Sequence, residues 1–144
     1  MSAAELISGE EEARAFVARL ADELGAPDTM AMLDRYAALL LEENQRQNLI
    51  STPSEAQLWQ RHIADSAQLL HFVPRETLGS GAQGPWLDLG SGPGLPGLVI
   101  AILCPQMPVT MVESRARRVT FLNHCLAELA LPKAQVIGER LERI

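Results

Sequence analysis

Cysteine, lysine and long apolar runs are scarce in this 144-residue chain, and each scarcity excludes something. There are two cysteines, Cys104 and Cys125, no Cys-x-x-Cys pair and three scattered histidines. That leaves neither a disulfide framework nor a zinc-ligand spacing, so no metal is expected and a buried, inert thiol is expected at both positions. No apolar stretch reaches membrane-spanning length, so no membrane partner is expected. The first residues carry Glu5, Glu10, Glu11 and Glu12 where a secretory signal carries a basic stretch and an apolar block. A reducing, cytoplasmic setting is therefore expected. What is present, 47% hydrophobic and 21% charged residues with 4% aromatics, fits one soluble globular domain.

A net charge of −6 speaks against a nucleic-acid partner until its distribution is read. Residues 1–50 hold ten acids and four arginines, whereas residues 51–144 balance eight acids with eight bases. Lysine is nearly absent because Lys133 stands alone among eleven arginines. Three of those, Arg115, Arg117 and Arg118, cluster in the neutral part. Arginine pairs with phosphate bidentately and stacks on bases, so a local nucleic-acid face stays open.

Periodicity divides the chain in two. Ser8 and Glu11 have capping-box spacing ahead of the stripe Phe16, Val17, Leu20 and Leu24, and Gly25-Ala-Pro27 stops that helix. A second helix is predicted from a cap at Asp28 to about Gln45, with Leu33, Ala37 and Leu40 inward. Ser54 and Gln57 repeat the capping box and open a third, in which Trp59, Ile63, Ser66 and Leu70 share a face. Residues 1–73 thus read as a helical cap, and the Gly/Ser-rich 74–84 as a linker. From 85 to 144 the pattern is β-α-β-α-β: strands at 86–89, 109–112 and 134–137, and helices at 95–103 and 115–129. This predicts a parallel sheet with right-handed crossovers, one half of a doubly wound α/β domain. Trp86–Leu89 would then be left as an open edge, through which the chain is expected to self-associate.

Between the first strand and its helix lies Asp88-Leu-Gly90-Ser-Gly92-Pro-Gly94-Leu-Pro-Gly97. So little side chain lets a ligand approach the backbone at a helix N-terminus. Gly92, Gly94 and Gly97 satisfy the dinucleotide pattern G-x-G-x-x-G, and Glu113 is the ribose-binding acid that pattern needs. Against it, Asp88 directs a carboxylate at the loop, which would repel a pyrophosphate and favour a cation. S-adenosylmethionine carries an ammonium and a sulfonium and no phosphate. An acid ending the first strand, glycines at 90, 92 and 94, and an acid ending the second strand make the pattern of class I S-adenosylmethionine-dependent methyltransferases. A dinucleotide, and a glycine-rich turn with no ligand at all, remain as alternatives. The missing Gly-Lys-Ser/Thr excludes a Walker P-loop.

Other residues carry two readings each. Arg61 and Asp65 stand at i, i+4, the spacing of an ordinary surface ion pair. Arg115, Arg117 and Arg118 open a helix where cations oppose its dipole, so they are either a solvated start or a phosphate-facing cluster. His71 and His124 read as structural or exposed.

Three stretches resemble one family. Leu87 to Gly97, Asn48-Leu-Ile-Ser51 followed by Arg61-His-Ile-Ala-Asp-Ser66, and Arg117-Arg-Val-Thr-Phe-Leu122 are similar, in order and spacing, to segments of the RsmG/GidB family of bacterial 16S rRNA guanine-N7 methyltransferases. Glu43-Asn44, where many members have Trp-Asn, is one departure. The resemblance implies a Rossmann-like class I fold with an incomplete sheet and an N-terminal helical cap, S-adenosyl-L-methionine as cofactor with S-adenosyl-L-homocysteine as product, and 16S rRNA or the small ribosomal subunit as partner. It implies cofactor contacts from Gly90 and Leu95 in the loop, from Glu113 to the ribose, and from Leu141 and Glu142 beside the adenine, to which the chemistry of the loop itself adds Asp88, Ser91, Gly92 and Gly94. His62 and Asp65 would border the guanine pocket, and the three arginines would meet RNA. Family members continue into further strands, so the chain is expected to be a truncated member, a monomer if complete, with weak or no methyl transfer of its own. No catalytic acid or base is nominated.

Overall fold

The computed structural model of the chain describes residues 9–25, 28–72 and 86–140. The expected Ser8 cap, the linker 74–84 and both Leu141 and Glu142 lie outside the described residues.

Helix α1 (Glu10–Glu23) buries Ala13, Val17, Leu20 and Ala21, while α2 (Thr29–Glu43) buries Leu33, Tyr36, Ala37 and Leu40 along its inner stripe. The second follows the predicted stripe; in the first, Val17 and Leu20 are buried as predicted, whereas Phe16 and Leu24 are only partly buried and Ala13 and Ala21 take the inner positions. Asp28 does not cap α2: its own backbone is helical (φ −74°, ψ −4°), which turns the side chain away from the orphan N–H groups. The helix also stops before Gln45. Asn44 Oδ1 accepts the N–H groups of Leu49 and Ile50 at 2.9 and 3.0 Å and bends the chain there.

The third predicted helix is not one helix. Thr52–Gln57 is a 3₁₀ turn, Trp59–Ile63 a π turn, α3 (Ala64–Ala67) a single α turn, and Gln68–Phe72 again 3₁₀. Ser54 lies inside the first turn, where its hydroxyl donates back to the Ser51 carbonyl at 2.8 Å instead of capping. The cap comes from a distance: the Glu10 carboxylate accepts the N–H groups of Trp59 and Gln60 at 2.9 and 2.6 Å. The π turn shifts the register, so Arg61 and Asp65 do not pair. Arg61 Nε donates to the Gln57 side-chain carbonyl, and Asp65 accepts from Gln68 Nε2 at 2.8 Å. Trp59, Ile63, Ser66 and Leu70 are nonetheless buried together, as the apolar spacing requires.

Beyond residue 85 the prediction holds element by element. Strands β1 (Trp86–Leu89), β2 (Val109–Glu113) and β3 (Ala134–Gly138) form a parallel sheet in the order β1-β2-β3, with Leu89 beside Val112 and Val112 beside Ile137. Helices α4 (Gly97–Leu103) and α5 (Ala116–Leu129) make the crossovers. Every residue of α4 is buried, because the sheet lies on one side of it and α2 and α3 on the other. Each buried Leu, Val or Ile there is worth roughly 1.5–3 kcal/mol of transfer free energy before conformational entropy is counted. Cap and sheet thus share one apolar cluster, which includes the buried thiols of Cys104 and Cys125. Alternation along β1 puts Asp88 inside, whereas Leu87 and Leu89 face out, 54% and 53% exposed. Among the described residues β1 pairs on one side only.

Candidate functional site

The segment that leaves β1 stays hooked to the sheet, since the N–H groups of Gly90 and Ser91 both donate to the Val112 carbonyl, at 2.8 and 3.1 Å. It then folds back on itself: the N–H groups of Gly94 and Leu95 point at the Ser91 carbonyl, at 2.9 and 3.3 Å. This tight turn delays α4 to Gly97, two residues later than the apolar run suggests, and leaves Leu95 and Pro96 outside the helix.

The glycines serve two different ends. Gly90 and Gly92 have φ of +76° and +55°, and a methyl group added to either would meet open space or nothing nearer than Arg118 Nη1 at 3.8 Å. Gly94 and Gly97 face inward instead: a methyl group would fall 2.5 Å from Leu98 Cδ1 at the first, and 2.7 Å from both Asp88 Oδ2 and Met111 Cγ at the second. A ligand has backbone to approach at residues 90–92, not along the whole loop. The second and third glycines of the dinucleotide pattern are packing glycines here.

Asp88 and Glu113 close the loop from below. The buried Asp88 carboxylate accepts the Gly97 N–H at 3.0 Å, at the first residue of α4. Burial pushes that carboxyl above the ordinary carboxylate range; bonding from Ser91 and from the Gly97 N–H pulls it back, and the charge on Glu113 adds to the rise. The expectation of a helix N-terminus open to a ligand is therefore corrected. Its leading N–H groups are engaged from within the chain, with Leu98 N donating to the Gly94 carbonyl at 2.7 Å. Glu113, buried at the end of β2, accepts Gly92 N–H on Oε1 at 2.8 Å and Arg115 N–H on Oε2 at 2.9 Å.

The cap reaches the same loop. Tyr36 of α2 donates its hydroxyl to the Pro93 carbonyl at 2.7 Å, a contact the sequence reading passed over. The signal was there: the only tyrosine of the chain stands in the Leu33–Ala37–Leu40 stripe, and a buried phenol needs an acceptor. His62 and Asp65, with Ser66, line a cavity of about 310 Å³ whose opposite wall is Leu95 and Pro96. The Ser54 hydrogen is committed to Ser51, so His62 Nε2 donates to Ser54 Oγ at 2.9 Å, an assignment made from the bonding network. Burial pushes the His62 imidazolium below its ordinary range while Asp65 pulls the other way, leaving the ring neutral at pH 7.

The arginine cluster is divided. Arg117 Nη2 donates to the Arg46 carbonyl at 2.8 Å and Arg118 Nη2 to the Asn48 carbonyl at 3.2 Å, so both guanidinium groups tie α5 to the turn after α2. Those carbonyls offset the unfavourable placement of cations at a helix start. Arg115 is exposed, on a groove of about 590 Å³ between that turn and the start of α5. Among the described residues no group of histidine, cysteine or carboxylate side chains is placed to hold a metal, and no helix is long and apolar enough to cross a membrane.

Comparison with known proteins places this geometry. A family model described as GidB, rRNA small subunit methyltransferase G, matches residues 29–144. The protein named ribosomal RNA small subunit methyltransferase G in Erythrobacter litoralis is 50% identical over 137 residues, which are 95% of this chain and 61% of that one. Its namesakes in Sphingopyxis alaskensis and Zymomonas mobilis are 47% identical, over 100% and 81% of this chain and 58% and 53% of their own. The chain therefore spans about three fifths or less of the length of these curated relatives. A match across both the cap helices and the glycine loop leaves one assignment: the chain belongs to the GidB family, rRNA small subunit methyltransferase G, with an α/β fold of the class I methyltransferase type.

Proposed function

We propose that residues 86–140 and their helical cap form the cofactor-binding part of an S-adenosylmethionine-dependent methyltransferase acting on guanine N7 of 16S rRNA. The observation that carries this reading is the Asp88 carboxylate lodged against the first N–H of α4. It fills with negative charge the position where a dinucleotide fold receives a pyrophosphate, and it favours a ligand that is cationic. Open backbone at Gly90 and Gly92, with the Glu113 carboxylate one bond from Gly92, suits an adenosine whose ribose hydroxyls need an acceptor. Leu141 and Glu142, outside the described residues, are proposed for the adenine.

S-adenosylmethionine, held by Asp88, Glu113 and the backbone at Gly90 and Gly92, would supply an electrophilic methyl carbon on its sulfonium sulfur, the N7–C bond forming as the C–S bond breaks and the sulfur keeping the electron pair as S-adenosylhomocysteine. Guanine N7 carries no proton, so no residue is asked to act as general base. The task of the chain is orientation and stabilisation of positive charge. His62 and Asp65, across the cavity from Leu95 and Pro96, are proposed to border the guanine.

Titration calorimetry with S-adenosylhomocysteine and with NAD tests the cofactor. The thioether is expected to bind and NAD is not, and Glu113→Ala should weaken the thioether roughly 10- to 100-fold, the worth of bonds to a charged acceptor. Binding of NAD alone would defeat the proposal. Arg115 is proposed as the RNA-facing member of its cluster, because the other two guanidinium groups are engaged by the turn. For a 16S rRNA fragment, Arg115→Glu should reduce the slope of log affinity against log salt by about one. An unchanged slope in filter binding would remove Arg115 from the interface.

A further inference from the structure

Among the described residues the glycine loop has one hydrogen-bonded anchor that lies outside the sheet half. Gly92 is held through its N–H by Glu113, and Gly94 and Leu95 turn to Ser91, all within residues 86–140. Pro93, between two glycines of positive φ, has no N–H to give. Its carbonyl is its only backbone polar group, and that carbonyl is taken by the hydroxyl of Tyr36 at 2.7 Å. The phenol arrives fully buried, from the inner stripe of α2, with Leu33, Ala37 and Leu40 around the same helix face. A phenylalanine would fill that packing equally well, so the hydroxyl has a different task.

We propose that Tyr36 is a positioning residue for cofactor binding: its hydroxyl holds the Gly92–Gly94 turn in the one conformation that presents Gly90 and Gly92 to the ligand. The inference rests on the cofactor reading above. Without the anchor the turn has the freedom that glycines on both sides of Pro93 confer, and a ligand must select the competent state from a wider set. Apparent affinity then falls in proportion to the fraction of competent loop. The cap helices thereby set how well the sheet half holds its ligand, through one side chain that does not touch it.

The test compares the chain with Tyr36→Phe, which keeps the ring. Amide hydrogen exchange, read by NMR without ligand, should quicken at Gly92, Gly94 and Leu95 in the variant and stay unchanged at Ile100 and Cys104 within and just after α4. A general loss of stability would quicken all five alike, and a role in packing alone would move none; either result overturns the anchoring. In calorimetry the variant should bind S-adenosylhomocysteine roughly three- to tenfold more weakly, the effect of one net hydrogen bond. Equal affinities would overturn the link to binding. Failure of the unsubstituted chain to bind the thioether would overturn the cofactor reading, and with it the role of Tyr36 in affinity, while the exchange comparison still decides the anchor.

Discussion

Gly94→Ala should lower the unfolding free energy by about 2–4 kcal/mol, the sum of left-handed backbone strain and core overpacking. Gly94 has φ +95°, which side-chain-bearing residues rarely adopt. The added methyl would also lie 2.5 Å from Leu98 Cδ1, 2.9 Å from Leu98 Cγ and 3.0 Å from Leu122 Cδ2. Leu98 and Leu122 are fully buried, and in a close-packed interior moving either to make room is costly. For a chain of this size that loss corresponds to a fall in melting temperature of roughly 8–15 °C. Gly90→Ala is the internal control: it carries the strain of φ +76° but meets no neighbour, so its cost should stay near 1–2 kcal/mol. Equal melting temperatures for the two variants would mean that the loop does not pack against α4 and α5 as described.

The second large effect concerns Asp88, where the two obvious substitutions should diverge. Asp88→Ala leaves the Gly97 N–H buried without an acceptor, at a cost of about 1–3 kcal/mol. Asp88→Asn keeps a carbonyl oxygen for that N–H and carries no charge. The Asp88 carboxyl is raised in the folded chain, chiefly by burial, so the folded protein takes up a proton at higher pH than the unfolded one. The stability linked to that proton is fully present below the ordinary aspartate range and is lost as pH rises through the raised folded value. At pH 7 ionised Asp88 therefore works against folding, and the asparagine variant should be at least as stable as the parent. Lowering the pH toward 4 should restore the parent relative to the variant. Thermal melts at pH 7 and 4.5 check this, and a stability gap that does not change with pH would show that Asp88 is not the group titrating.

What the residues disclosed, and what they hid, follows from the range of the interactions involved. Strands 86–89, 109–113 and 134–138 and helix 116–129 were legible because each is specified by its own apolar period and flanking turn residues. The segment from Thr52 to Phe72 was not, because its cap is Glu10, 49 positions upstream of Trp59, and no local pattern announces such a partner. Ser54 presented a capping signature, yet its hydroxyl found the Ser51 carbonyl first. At the site, the pairing of Asp88 with Glu113 around a glycine loop was readable in the spacing. Which glycines face a ligand and which face the core was not, since that depends on Leu98, Leu122 and Met111 arriving from three other elements. The arginines show the same limit: three equivalent cations in the sequence become two that tie α5 to the turn at 46–48 and one, Arg115, that does not.

The burial of α4 on every side has a further consequence. A helix wrapped by sheet on one flank and by α2 and α3 on the other belongs to neither neighbour, and removing either would strand its leucines and isoleucines in water. The helices at 9–72 and the strands at 86–140 should therefore unfold together, as halves of one cooperative unit. A nick between them would yield two polypeptides that regain order only by finding each other again.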